Sequence, residues 1–273
     1  MRRWGWLLVL VVGFVLFEAV RRVLLLTQNP NLVPSLILLG AAVAPASFVA
    51  FVLGRRLDYS VGAGPIALVA LLGGVVGVVA AGLLEFDAMR SLGTLPMLGV
   101  ALIEESAKLL APLTVLVVTA RHLHPADGLL VGVASGAGFA ALETMGYGFV
   151  VLVRSQGNLG AVDDVLLLRG VLSPAAHMAW TGLTAAALWY AAQRRTRRAA
   201  TRALLVFALA VTLHTVWDGV GGFVAYALIA LAGLGLLTGF AHRLPHRPRA
   251  PRCPPDPSQV VWSAEGCAAR RAE

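Results

Sequence analysis

The chain predicts an all-α polytopic membrane protein, and three observations carry that prediction. It is 58% hydrophobic and only 13% charged, whereas soluble chains average about a quarter charged. Its mean hydropathy is +0.80. Its 273 residues divide into apolar runs of about 20, the length that crosses a bilayer as a helix. Together these exclude an ordinary soluble domain and leave no room for a catalytic domain outside the membrane. The formal charge of +8 could suggest nucleic acid, but arginines in short loops between apolar runs are what membrane orientation requires. The expected surroundings are the lipid bilayer of the cell membrane, with no nucleic-acid partner.

Apolar runs place about eight spans at residues 4–20, 34–53, 63–84, 95–119, 128–153, 173–192, 203–220 and 221–240. The first has a basic start and an apolar core, like a signal peptide. However, Glu18-Ala-Val-Arg-Arg offers no small-residue cleavage site, so a retained anchor is expected. In the third, Gly73, Gly77 and Ala81 recur every four residues, as do Gly132, Gly136 and Ala140 in the fifth. Each set lies on one helix face and lets another helix approach closely. The last two spans form one apolar stretch, divided at Asp218-Gly219-Val220-Gly221-Gly222, where a carboxylate and three glycines let the chain turn. Residues 1–240 thus make a transmembrane domain. Residues 241–273 read as a disordered, Pro-rich and Arg-rich tail that carries Cys253 and Cys267.

The basic residues orient the spans. With the N-terminus in the cytoplasm, the inner segments hold Arg2, Arg3, Arg55, Arg56, Arg121, five arginines between Arg194 and Arg202, and six in the tail. That makes sixteen inside, against five outside: Arg21, Arg22, Arg90, Arg154 and Arg169. Both termini are therefore expected in the cytoplasm.

Ionisable residues within the spans are the informative ones: Glu104, Glu105 and Lys108 in the fourth, Glu143 in the fifth, His177 in the sixth, His214 and Asp218 in the seventh. A charge at mid-helix is unfavourable by about 2.5–3.5 kcal/mol even on the lenient insertion scale, so seven such groups in four successive spans need a reason. At about 1.5 Å per residue, Glu104 falls about 14 Å, Glu143 about 15 Å, His177 about 6 Å and His214 about 9 Å below the outer face. Polar groups of four helices then share one layer, which suggests a water-accessible cavity open toward the outside. Lys108 is one turn from both Glu104 and Glu105, and Asp218 is one turn from His214, so these groups can neutralise each other. Glu104 and Glu105 point about 100° apart and should differ in role.

Singly, each group has a bland reading: a paired charge that orients a helix, or an interhelical hydrogen bond. Lys108 suits that structural role. Jointly they suit hydrolysis of an amide. A desolvated glutamate can accept a proton from water, and histidines opposite it can stabilise an oxyanion or bind a zinc ion. No H-E-x-x-H is present, and Val133-Ala-Ser135-Gly136 is no nucleophile motif. A proton-coupled transporter or channel could use the same Glu and His relays, and a non-catalytic scaffold is a third reading.

Glu104-Glu105-Ser-Ala-Lys108, Phe139-Ala-Ala-Leu-Glu143, the isolated His177 and His214-Thr-Val-Trp-Asp218 resemble, in that order, the motif series of the PrsW family of membrane proteases. The layout is also similar to that of the CAAX-processing and bacteriocin-immunity protease superfamily, although Glu143 stands where that superfamily has a histidine. The resemblance implies cleavage of a membrane-anchored protein near the outer face, of the kind in which an anti-sigma factor is cut to start regulated proteolysis. It implies Glu104 as the water-activating base and Glu105 as its partner with Lys108. His214 and Asp218 would hold the oxyanion or the water, and Glu143 and His177 would complete the polar wall. Glu143, His177 and His214 are the candidate ligands should a metal, zinc by its donors, be used.

Overall fold

The computed structural model describes residues 4–55, 57–91, 96–118, 124–220 and 222–244. The tail from 245 onward with Cys253 and Cys267, and Arg2, Arg3, Arg56 and Arg121, lie outside the described residues. The described chain is a bundle of helices: α1 (Gly5–Thr27), α2 (Val33–Gly54), α3 (Ala63–Ser91), α4 (Pro96–Lys108), α5 (Leu110–Val118), α6 (Pro125–Arg154), α7 (Leu159–Leu172), α8 (Ala179–Arg194), α9 (Arg197–Gly219) and α10 (Phe223–His242). Five helical segments are long and apolar enough to cross a membrane: Pro30–Gly54, Ala63–Glu85, Pro125–Arg154, Arg197–Gly219 and Val224–His242.

The centre of the bundle is α6, packed between α3 and α8. Small residues allow this. A Cβ on Gly73 would lie 2.8 Å from Ser135 Cα, one on Gly132 would lie 2.5 Å from the Thr181 carbonyl oxygen, and one on Gly136 would lie 2.6 Å from the His177 carbonyl oxygen. The glycine stripes expected to bring helices together do so here. His124 caps α6, its Nδ1 accepting from Ala126 N at 3.2 Å, with Pro125 in the first turn, where its missing N–H costs nothing.

Two of the expected spans are broken by proline, and each break serves the interior. The fourth divides at Leu109. Pro112 has no N–H to give to the Lys108 carbonyl one turn earlier, and that carbonyl instead accepts from Ser135 Oγ on α6 at 2.7 Å. The sixth begins with a π turn, Pro174–Met178. Pro174 cannot donate to the preceding turn, and Met178 N reaches back five residues to the Ser173 carbonyl at 3.2 Å. Such single π turns widen a helix locally and recur at functional sites.

Elsewhere the expected boundaries shift. Residues 155–172, expected as an outer loop, contain α7, capped by Asn158 accepting from Ala161 N at 3.2 Å. The helix α1 runs past residue 20 and carries Arg21 and Arg22 within it; Arg21 Nε donates to Asp163 Oδ2 on α7 at 2.7 Å. The separation of the last two helices falls where the glycines predicted it, with α9 ending at Gly219 and α10 starting at Phe223. Gly222 there has φ +116°, a conformation that side chains disfavour.

Candidate active site

All six residues read from the sequence as catalytic come together, carried in by four helical features. The last turns of α4 bring Glu104, Glu105 and Lys108. The middle of α6 brings Glu143, the π turn brings His177, and the last turns of α9 bring His214 and Asp218.

Lys108 is the hub. Its side chain has no exposed surface, and its Nζ lies 2.8 Å from Glu105 Oε1, 3.1 Å from Glu104 Oε2 and 2.8 Å from His177 Nδ1. It also stands 4.4 Å from the centre of the Phe139 ring, a cation–π contact that stabilises an ammonium removed from water. An ammonium only donates, so the histidine nitrogen it meets is an acceptor. His177 therefore carries its own proton on Nε2, which lies 3.2 Å from Glu143 Oε2. Glu143 is held in turn by Arg169 Nη2 at 2.7 Å, and the Arg169 guanidinium stacks 4.0 Å over the Tyr147 ring.

His214 is oriented from the opposite side. Glu105 Oε1 lies 2.9 Å from His214 Nδ1, so that nitrogen donates to the carboxylate. Its Nε2 then faces Asp218 Oδ2 at 3.3 Å and Glu104 Oε2 at 3.6 Å. The two imidazoles stand nearly perpendicular with ring centres 5.4 Å apart, and Trp180 closes one side at 5.4 Å from His214.

The two adjacent glutamates thus have different surroundings, as their 100° separation on the helix required. Glu105 is engaged by both Lys108 and His214. Glu104 Oε2 is buried with no hydrogen-bond partner, its neighbours being an ammonium and an imidazole edge. Asp218, with 29% of its side chain exposed, is the most open member of the group.

One ligand atom from each of Glu104, His177 and His214 falls within 4.8 Å of the others, and all three residues are buried. Glu104 thus stands where the sequence reading put Glu143; Glu143 is occupied by Arg169 and His177 instead. One carboxylate and two imidazoles are a donor set that catalytic zinc sites use. Glu104 Oε2 and the Nε2 edge of His214 face one another at 3.6 Å, and the Lys108 ammonium lies 3.1 Å from the same oxygen, so positive charge is already present at the meeting point. The donor types fit a divalent cation, which would take the place of the Lys108 ammonium on His177 Nδ1.

Two participants escaped the sequence reading. Arg169 was counted as a charge of an outer loop, though it lies two helical turns before His177, in the middle of a helical run. Glu85, one residue past the expected end of the third span, has a buried Oε1 with no hydrogen-bond partner among the described residues and lies within electrostatic range of Glu104, Glu143, Lys108 and His214. Ser135, weighed and rejected as a nucleophile, is spent on the Lys108 carbonyl.

A family model described as PrsW family intramembrane metalloprotease matches residues 62–241, well over half of the chain. The match covers every residue of the cluster. No curated protein and no solved structure matches the chain.

Proposed function

Because the chain belongs to the PrsW family of intramembrane metalloproteases, we propose that the cluster around Glu104, His177 and His214 is the centre at which this multi-pass membrane peptidase hydrolyses its substrate. The observation that carries this reading is the convergence of those three residues, from three separate helical elements, to within 4.8 Å.

In this reading Glu104 Oε2, the carboxylate oxygen without a hydrogen bond, takes the proton of the attacking water. Glu105 and Glu143 do not touch the reacting atoms; each fixes one imidazole, Glu105 through His214 Nδ1 and Glu143 through His177 Nε2. Carboxylates in that position set which nitrogen of a histidine is left for chemistry. His214 and Asp218 orient the water from the more open side of the cluster. Lys108 balances the two adjacent glutamates, which could not otherwise share a dry site. A divalent cation held by Glu104, His177 and His214 would supply a Lewis acid that polarises the scissile carbonyl and acidifies water.

The substrate is a membrane-anchored protein cut near the outer face, with an anti-sigma factor as the kind the resemblance implies. The distribution of arginines supports an arrangement of eight membrane-crossing segments with both termini in the cytoplasm. The test is reconstitution. Purified protein in lipid vesicles with a single-span substrate should yield one discrete product and carry one divalent metal per chain. His177→Ala and His214→Ala should lose both metal and product while still folding. Cleavage by protein shown to be free of metal would remove the cation from the mechanism, and no cleavage of any single-span substrate would remove the peptidase assignment of this cluster.

A further inference from the structure

Beside the cluster lies a pocket of about 70 Å³ whose wall includes His177. It is bounded on one side by Leu168, Leu172 and Ala176, from α7 and the π turn, and on the other by Trp217 and Tyr226, from α9 and α10. The aromatic pair is mutually packed, with ring centres 4.5 Å apart, and Trp217 is braced by Trp180 at 6.2 Å. This wall is therefore formed by mutually packed aromatic rings.

We propose that this pocket is a substrate subsite that receives one apolar side chain of medium size, from a residue flanking the scissile amide. The inference rests on the proteolytic reading above and adds to it the class of residue selected. A single water needs about 10–15 Å³ on this measure and drug-sized pockets run from about 300 Å³ upward, so this one has room for a side chain rather than a length of helix. Its walls are aliphatic and aromatic, which favours an apolar occupant. Three of its polar residues are already engaged: Arg169 with Glu143, His177 with Lys108 and Glu143, and Ser173 Oγ as donor to the Arg169 carbonyl at 2.6 Å. An acidic side chain would lose its water against these apolar walls and gain only a share of a guanidinium that Glu143 already holds. Because His177 belongs to both the pocket and the cluster, an occupant here would hold its own backbone against the reacting groups. Ala176, the smallest lining side chain, then sets the upper size limit, and Leu172 sets the breadth.

The experiment uses full-length protein in vesicles and single-span substrates identical except for Ala, Val, Leu, Phe or Asp beside the cut. Wild-type protein should prefer Val and Leu over Ala and reject Asp. Ala176→Leu should lower cleavage of the Leu and Phe substrates about tenfold relative to the Ala substrate, the discrimination that one or two methylenes provide in an apolar pocket. Leu172→Ala should move the preference the other way, toward Phe, and serves as an independent check should Ala176→Leu fail to fold. If the variants change every substrate by one common factor, or change none, the pocket is only a route for water and the subsite is overturned. Wild-type protein that cuts no member of the series overturns the proteolytic reading, and the subsite with it.

Discussion

Asp127 and Glu104 are both carboxylates removed from water, and the bundle treats them in opposite ways. Asp127, in the first turn of α6, is fully buried and saturated. Its Oδ1 accepts from Ser60 N at 2.7 Å and Val61 N at 3.2 Å, and its Oδ2 accepts from Ser60 Oγ at 2.6 Å. Its place at a helix N-terminus adds a favourable dipole. Glu104 has no hydrogen bond on Oε2, and its charge is met by an ammonium that Glu105 shares. A buried charge is not by itself a functional mark. Asp127 closes the loop between α2 and α3 onto α6, whereas the oxygen of Glu104 meets only the ammonium of Lys108 and the edge of His214.

The sharpest way to break that comparison is to neutralise or delete each carboxylate and read activity and stability separately. Glu104→Gln keeps the shape and removes the proton acceptor. Cleavage should fall about 10²–10⁴-fold, the range for loss of a general base, with thermal unfolding close to wild type. Asp127→Ala orphans its donors and should lower stability by about 1–3 kcal/mol, leaving the turnover of the folded fraction unchanged. A Glu104→Gln protein that keeps its activity, or an Asp127→Ala protein that folds normally but is inactive, would reverse the two assignments. Metal analysis of Glu104→Gln adds detail: metal retained with activity lost marks a base, while loss of both marks a ligand.

Glu143 lies between these extremes, anchored on one oxygen by Arg169 and facing His177 with the other. If anchoring is what fixes the imidazole, Arg169→Leu should reduce cleavage about 10–100-fold, the usual scale for losing an outer partner of a site histidine. Arg169→Lys should recover part of that loss, since a cation remains beside Glu143 although the fork and the stack on Tyr147 are gone. The measurement is kcat and KM separately in vesicles. Equal loss in both variants with unaltered KM would show that the guanidinium itself, rather than its charge, is what positions Glu143. No loss in either would remove Arg169 from the site.

Much of the cluster was legible because helical spacing is a local rule. The pairing of Lys108 with a carboxylate one turn away and the His214–Asp218 pair follow from positions three or four apart, and the unequal roles of the adjacent glutamates follow from the 100° step between neighbours. The convergence of four elements came from depth arithmetic, which works because a bilayer forces charges in separate spans to find each other. What stayed hidden is tertiary. Arg169 looked like an interface charge because residues 155–172 have no single apolar run of spanning length, yet they fold as α7 and lead directly into the π turn. Glu85 fell one residue beyond an apolar run. The effects of Pro112 and Pro174 depend on which carbonyl each leaves unpaired and on the partner waiting for it. Glu104 rather than Glu143 joins the two histidines because Arg169 claims Glu143, a contact no spacing rule contains.

The same helix allows the smallest of these effects to be isolated. Along α6, between Asp127 and Glu143, Gly136 lies directly under the π turn. A Cβ there would be 2.6 Å from the His177 carbonyl oxygen and 3.0 Å from Met178 Cα, backbone atoms that cannot rotate away. Gly146, ten residues further on, has nothing within 4 Å of such a Cβ. Gly136→Ala should therefore push the π turn off α6 at an overpacking cost of about 1–3 kcal/mol. Because a 1 Å misplacement at a reacting centre costs about 10²-fold, a shift of a few tenths of that should lower cleavage about three- to tenfold in protein that still folds. Gly146→Ala should be neutral, or stabilising by up to about 1 kcal/mol through helix propensity alone, with activity unchanged. The pair shares one helix and one chemical change, so a difference between them reports only on what the π turn must touch. If Gly136→Ala loses stability but not rate per folded molecule, His177 does not depend on this contact for its position, and the saturated anchoring seen at Asp127 would describe the site as well.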